Sequence, residues 1–303
     1  MDQKLFEKIA NEVKPFFGKG KVADYIPELR NINPQQFGVS LVNVDGSEIN
    51  FGDYHTSFSI QSISKIFSLI MVFSKLGNNL WQRVGKEPSG NPFNSLIQLE
   101  HEKGLPRNPF INAGALVVTD LLLSQNPKPK RELLSFIRAL ADNDDIYFNR
   151  KVAASERDTG FRNAALANLM KSFGNIDSEI DQLLDVYYSQ CSIEMSCHDL
   201  SKATLCLANG GKTLHSAKQI LSLSQAKRIN AILMLCGLYD ESGDFAYQVG
   251  LPAKSGVGGG IVAICPGKFS ISVWHPELTK FGNSLVGMKF LERFTAYQDL
   301  SIF

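Results

Sequence analysis

The strongest constraint on this chain is one run of side chains, Ile66-Phe67-Ser68-Leu69-Ile70-Met71-Val72-Phe73, which is apolar on nearly every side of a helix. Such a helix has no face to offer water, so it must lie inside a core with other elements packed around it. The run is far shorter than the ~20 apolar residues needed to cross a bilayer, and no other stretch comes closer. The 303 residues carry 31 basic and 30 acidic side chains, a formal charge of +1. That balance predicts a soluble globular protein with neither nucleic acid nor an anionic membrane as partner. The first 17 residues alternate charged with apolar side chains, whereas an export signal needs a basic stretch and then an unbroken apolar core, so a cytoplasmic location is expected.

The remaining pattern says what packs around the buried helix. Leu5, Ile9 and Val13 recur every four residues beside Phe6 and Phe16, predicting an amphipathic helix over about 3–17 opened by Asp2. FGVSLVN over 37–43, then Asp45-Gly46, then Ile49, Phe51 and Gly52, reads as two strands joined by an Asp-Gly turn. The apolar helix is expected to begin near Ser62. From about 78 to 110, Gly85, Pro88, Gly90, Pro92, Pro106 and Pro109 predict loops. Helical patterns follow near 113–124, 130–142, 155–172, 176–187, 197–208 and 222–235. Beyond Gly250, LPAKSGVGGGIVAICPGKFSISVWHP reads as two β-rich runs around a Pro266-Gly267 turn, with a last helix near 282–298. Strands near both ends of the chain therefore enclose a helical middle. The expected fold is α+β: an antiparallel sheet from about 1–61 and 212–303, flanked by helices, with a mainly helical lobe from about 62–211, all one unit over 1–303.

Cys191, Cys197, Cys206, Cys236 and Cys265 are odd in number and never spaced C-x-x-C, which predicts core thiols rather than a disulfide framework. The histidines at 55, 101, 198, 215 and 275 form no H-E-x-x-H or similar pair. No metal or other cofactor is expected.

Ser62-Ile63-Ser64-Lys65 puts a hydroxyl and an amine three residues apart, on one face of a helix, so the amine can accept the hydroxyl proton. Burial would help by disfavouring the charged lysine. The spacing alone is weak, because a chain this rich in Ser and Lys holds such pairs by chance, and Ser224-Gln225-Ala226-Lys227 is another. That second pair sits in a Ser- and Lys-rich amphipathic stretch and reads as a solvated helix surface. Ser62 and Lys65 instead open the most apolar helix of the chain. A later Lys254-Ser255-Gly256, in a strand-like run before Val257 and three glycines, matches the K-[ST]-G that follows S-x-x-K in penicillin-recognising serine enzymes. Glycines there are expected to let a substrate approach the backbone, so that a main-chain N–H can meet an oxyanion.

Further motifs make the resemblance specific. They are Gly20-Lys21-Val22-Ala23-Asp24-Tyr25-Ile26-Pro27, Gln61-Ser62 with Lys65, Gly85-Lys86-Glu87-Pro88-Ser89-Gly90, Asn108-Pro109-Phe110-Ile111-Asn112-Ala113-Gly114-Ala115, and Ser155-Glu156 with Asn163. Tyr187 before Cys191-Ser192, Cys206-Leu207-Ala208-Asn209-Gly210-Gly211, Cys236-Gly237-Leu238-Tyr239-Asp240 and Gly250-Leu251-Pro252-Ala253-Lys254-Ser255-Gly256-Val257 complete the set. On these segments, which span about 20–290, the sequence resembles the serine-dependent glutaminases, a family with the β-lactamase/DD-peptidase-like fold.

The resemblance implies hydrolysis of the γ-carboxamide of L-glutamine through a γ-glutamyl ester on Ser62. It implies Lys65 as proton acceptor and Tyr239 as assistant, with the division between the two left open. Lys254 and Ser255 belong to the catalytic set, and the backbone N–H groups of Ser62 and Val257 would form the oxyanion hole. Substrate-binding residues carry over to Tyr25, Gln61, Ser62, Asn112, Glu156, Asn163, Tyr187, Tyr239 and Val257. Glu156 is the only carboxylate among them and is assigned to the α-ammonium of glutamine. Tyr25, Asn112 and Asn163 would donate to the α-carboxylate or the amide oxygen. A homo-oligomer, dimer or tetramer, is implied as well. The competing reading within the same fold is a β-lactamase or penicillin-binding hydrolase, which acts outside the cytoplasm and carries a middle S-x-N or Y-x-N element that finds no convincing match here.

Overall fold

The computed structural model describes residues 2–90 and 96–303; the expected loop residue Pro92 lies outside them. Helix α1 (Gln3–Val13) opens on the side chain of Asp2, which accepts from Leu5 N–H at 3.0 Å. It stops short of the expected 17 because Pro15 cannot continue the ladder, and Lys14–Phe16 tightens into a 3-10 turn. Strand β1 (Lys21–Val22) follows. Strands β2 (Gly38–Asn43) and β3 (Glu48–Gly52) pair antiparallel as a hairpin. After β4 (Phe58–Ser59) comes a 3-10 turn, Gln61–Ser64, and only then helix α2 (Lys65–Leu76). The expected start at Ser62 is therefore corrected: Ser62 stands in the tight turn and Lys65 is the first helical residue.

Every residue of α2 from Lys65 to Phe73 is buried. Around it, in one hydrophobic cluster, lie the apolar faces of α4 (Asn112–Gln125), α5 (Pro129–Ala141), α7 (Phe161–Ser172), α8 (Ile180–Cys191), α9 (Cys197–Ala208) and α10 (Leu223–Cys236). Each fully buried Leu, Ile or Phe contributes about 1.5–3 kcal/mol, so the central position follows directly from the sequence of α2. The short helix α3 (Leu96–His101) lies before α4, and α6 (Arg150–Thr159) before α7. Where one helix was expected over 155–172 there are two, broken at Gly160; the helix expected over 176–187 runs instead over the residues of α8. Short strands β5 (Tyr147–Phe148) and β6 (Ile193–Met195) pair with β4 in a three-stranded sheet, order β4-β6-β5.

Helix α11 (Ser242–Gln248) precedes β7 (Ala253–Ser255), β8 (Gly260–Cys265), β9 (Phe269–Trp274) and β10 (Glu277–Leu278); α12 (Leu285–Gln298) closes the chain. The main sheet has the order β3-β2-β9-β8-β7, entirely antiparallel, so strands from the two ends of the chain meet at β2 and β9. One face of this sheet packs a second apolar cluster with α1 and α12, and the other face receives α9. β7 forms an edge of the sheet and points its chain into the turn that meets the Gln61–Ser64 segment. No helix among the described residues is long and apolar enough to cross a membrane.

Candidate active site

The turn after β7 fits against the segment that carries Ser62. A Cβ on Gly256 would stand 2.4 Å from the carbonyl oxygen of Ile60, and one on Gly258 2.0 Å from that of Ser59, distances that no side chain tolerates. These glycines were expected to admit a substrate; in the structure they admit the backbone of residues 59–61. The result places Val257 beside Ser62. Gly256 N–H bonds Gly260 O at 3.0 Å and Ile63 N–H bonds Ile60 O at 3.0 Å, which fixes both turns.

The 3-10 turn is entered through Gln61, whose φ of 50° lies in the left-handed region that a non-glycine residue occupies only when its surroundings hold it. Its Nε2 donates to Ser59 Oγ at 3.0 Å, and Ser59 Oγ donates to the Cys191 carbonyl at 3.0 Å. The Gln61 side chain also acts on Glu156, favouring its charged form, and both line the cleft.

Lys65 is fully buried, with Nζ donating to Asn112 Oδ1 at 2.8 Å and to Phe110 O at 3.1 Å. Burial lowers its pKa to about 8, while Cys191 and Glu156 pull the other way. The loop that supplies Phe110 O is shaped by Asn108, whose Oδ1 accepts from Phe110 and Ile111 N–H at 3.0 and 3.1 Å. Gly114 lets α4 press onto that loop, since a Cβ there would lie 1.9 Å from Asn108 O.

The opposite wall comes from α6 to α8. Asn149 caps α6 by accepting from Lys151 and Val152 N–H, which aims buried Glu156 into the site. Burial raises the Glu156 carboxyl to about 7, opposed by Gln61 and Lys65. Gly160 ends α6 against Tyr188, whose hydroxyl donates to Gly160 O at 3.1 Å and would touch any Cβ at 2.0 Å. The break lets Asn163, on the first turn of α7, accept from Asn112 Nδ2 at 2.9 Å.

Tyr239 closes the site from below. It too has a positive φ, 50°, and the side chains of Ser62 and Ser255 act on its hydroxyl, favouring the ionised form against burial. Burial drives the phenol well above its usual range. Lys254 Nζ sits 4.4 Å from the centre of the Tyr239 ring and donates to Ser255 O at 2.7 Å and Gly237 O at 2.9 Å. A Cβ on Gly237 would lie 1.7 Å from Ala253 O, so the Cys236–Asp240 and Ala253–Gly256 motifs interlock through that glycine. Lys254 is fully buried, and burial, followed by the charge of Lys65, depresses its pKa strongly.

These walls enclose a cleft of about 230 Å³. Drug-sized pockets run to roughly 300–1,000 Å³, so this one suits a ligand of amino-acid size. Tyr25, Gln61, Ser62, Asn112, Glu156, Asn163, Tyr187, Tyr239 and Val257 line it together. Lys65, Lys254 and Ser255 lie behind the lining rather than in it. Ile26, Thr159, Gly160, Arg162 and Cys191 also face the cleft and were not singled out by sequence. Cys191, read there as a core thiol, is buried but forms part of the wall, with its thiol raised to about 12 by burial. All five cysteines are buried and unpaired.

Comparison with known proteins agrees with the geometry. Residues 20–303 match the family model described as Glutaminase. The glutaminase of Shewanella loihica is 52% identical over 305 aligned positions covering 100% of both chains, and that of Christiangramia forsetii is 50% identical over 301, covering 99% of each. Among solved structures, the covalent complex between the Bacillus subtilis glutaminase YbgJ and 5-oxo-L-norleucine, formed by reaction of the protein with 6-diazo-5-oxo-L-norleucine, matches with a TM-score of 0.89 at 32% identity, covering 99% of each chain. The antiparallel sheet with its flanking helices is thus the β-lactamase-like fold of the bacterial glutaminases. On sequence and structure alike, the chain belongs to the glutaminase family.

Proposed function

We propose that Ser62 is the nucleophile through which this amidohydrolase converts L-glutamine to L-glutamate and ammonia. The observation that carries the reading is the convergence of Ser62 with eight polar or shaping residues on one amino-acid-sized cleft, with buried Lys65 three residues on, at the start of α2. Ser62 Oγ gives its proton to neutral Lys65 and bonds to the γ-carbon. The carbonyl oxygen becomes an oxyanion facing the N–H groups of Ser62 and Val257, a type of contact worth about 3–4 kcal/mol per donor. As the C–N bond breaks, Tyr239 gives the leaving nitrogen a proton and recovers one from the Lys65 ammonium, so that ammonia departs and Lys65 is neutral again. Water then attacks the γ-glutamyl ester, loses its proton to the same base, and releases glutamate with Ser62 reprotonated.

Tyr239, which lines the cleft with Ser62 and keeps its proton through burial, is the group that passes a proton to the leaving nitrogen, and Lys254 supports its ring. Glu156 pairs the α-ammonium of glutamine, while Tyr25, Asn112, Asn163 and Tyr187 bind its polar atoms and Gln61 shapes the pocket before the nucleophile. Five buried unpaired thiols suit a reducing cytoplasm. The unit acts as a homo-oligomer, dimer or tetramer, as the family resemblance implies, and residues 1–303 form one catalytic unit with sheet and helical lobes.

The test is ammonia release from L-glutamine, with L-asparagine and a chromogenic β-lactam in parallel, for the parent and Ser62→Ala. Parent turnover of glutamine alone, lost in a folded Ser62→Ala variant, supports the assignment. Near-parent activity in that variant removes Ser62 from the mechanism, and turnover of the β-lactam with none of glutamine favours the penicillin-recognising reading instead.

A further inference from the structure

We infer that Ser59 is a positioning residue for substrate binding, because its hydroxyl selects the orientation of the Gln61 side-chain amide beside Glu156. Ser59 is buried and stands outside the cleft lining. Its single proton goes to the Cys191 carbonyl at 3.0 Å, so toward Gln61 it can only accept. It therefore takes the NH2 side of the Gln61 amide, at 3.0 Å, and the second hydrogen of that nitrogen is available to the Glu156 carboxylate. A flipped amide would set two acceptors against each other at Ser59 and a carbonyl oxygen against the carboxylate. The chain Cys191 carbonyl, Ser59 hydroxyl, Gln61 amide thus runs in one direction and ties the end of α8 to the residue before the nucleophile. The strained φ of Gln61 and the seat that Gly256 and Gly258 make for it restrict its backbone, leaving the amide orientation to Ser59.

This inference rests on the reading that Gln61 and Glu156 bind the substrate. Without the acceptor at Ser59, Gln61 loses its fixed orientation and Glu156 loses a donor that favours its charged form. Ser59→Ala should raise KM for L-glutamine about tenfold with kcat changed by less than threefold, and should move the acid limb of kcat/KM to higher pH. The other ionisable groups acting on Glu156 are Lys65, Cys191 and the phenols of Tyr25, Tyr187, Tyr188 and Tyr239, none of them a carboxyl group that titrates in the same way. Ser59→Thr keeps the hydroxyl and should keep the parent limb. In a Gln61→Ala background, Ser59→Ala should add no further loss.

An unmoved KM and limb in Ser59→Ala, an equal loss in the Gln61→Ala background, or a Thr variant as impaired as the Ala variant would each overturn the inference. Should Ser59→Ala not fold, Ser59→Cys, whose thiol donates and accepts weakly, is read the same way against Ser59→Thr. Glu156→Gln and Gln61→Ala variants that leave KM unchanged would instead remove the underlying assignment of the pocket.

Discussion

Two buried lysines stand near the nucleophile, one on the helical side and one on the sheet, and their surroundings differ. Lys65 and Lys254 each donate to two oxygens and neither reaches water. Burial lowers the Lys65 pKa only to about 8, because Cys191 and then Glu156 oppose it. Lys254 has two peptide carbonyls and the face of a tyrosine ring, and the charge of Lys65 opposes its own, so its pKa falls much further. A base must exchange its proton near the working pH, whereas a strut need only keep its geometry. The comparison therefore assigns proton transfer to Lys65 and support of Tyr239 to Lys254.

The largest effect that could break this contrast is at Lys65. Arginine there stays protonated at any working pH, so Lys65→Arg should lower kcat about 10³- to 10⁴-fold; a loss below tenfold would pass the base role elsewhere. Next comes the carboxylate that separates the two sites. A carboxyl raised from 4.5 to about 7 by burial favours its protonated form in the fold, so the stability it contributes is complete below pH 4.5 and is lost as pH rises toward 7. The loss is about 3 kcal/mol. Glu156→Gln should therefore melt about 5–10 °C above the parent at pH 8 and close to it at pH 4. An equal difference at both pH values would show that burial of the charge is not its cause. Smaller again, Lys254→Met should reduce kcat about 10- to 100-fold with KM little changed, by releasing Tyr239; it should cost about 1–3 kcal/mol for the donor lost at Ser255 O and less at Gly237 O, which keeps the Ser255 N–H. A kcat loss matching that of Lys65→Arg would erase the distinction between base and strut.

The same two sides of the site differ in how far sequence reveals them. The β-rich runs over 37–52 and 253–274 mark β2, β3, β8 and β9; β8 and β9 are buried along their whole length because helices cover both faces of the sheet, so they read as runs of apolar and small side chains. The all-round apolar run of α2 marks the centre of the core. Gly160 weakens a helix by only about 1 kcal/mol, too little to mark a break by itself, and the contact with Tyr188, 28 residues away, accounts for a glycine there. Strands β5 and β6 are two and three residues long, too short to carry a period. The predicted cleft residues were legible through motifs; Cys191 stood in one of them but read as a core thiol, and Ser59 stood in none, because a buried small polar residue looks the same in sequence whether it faces a core or a site. The glycines after Ser255 were visible, but what they make room for is backbone some 200 residues earlier, which no local pattern encodes.

The finest test of the contrast is a shift in pH dependence. In the free protein both Glu156, at about 7, and Lys65, at about 8, must lose a proton before substrate binds and Ser62 is activated. The acid side of kcat/KM should therefore fall with two ionisations in the parent. Glu156→Gln removes one of them and also removes a negative charge that stabilises the Lys65 ammonium. The remaining limb should be single and should lie at lower pH than that of Lys65 in the parent, by less than about one unit given that burial is the larger cause of its shift. Lys254→Met should leave that limb in place, since its amine is already driven toward neutrality. A Glu156→Gln limb at or above the parent position would mean that the carboxylate does not hold the Lys65 proton, and the two lysines would then differ only in their peptide contacts.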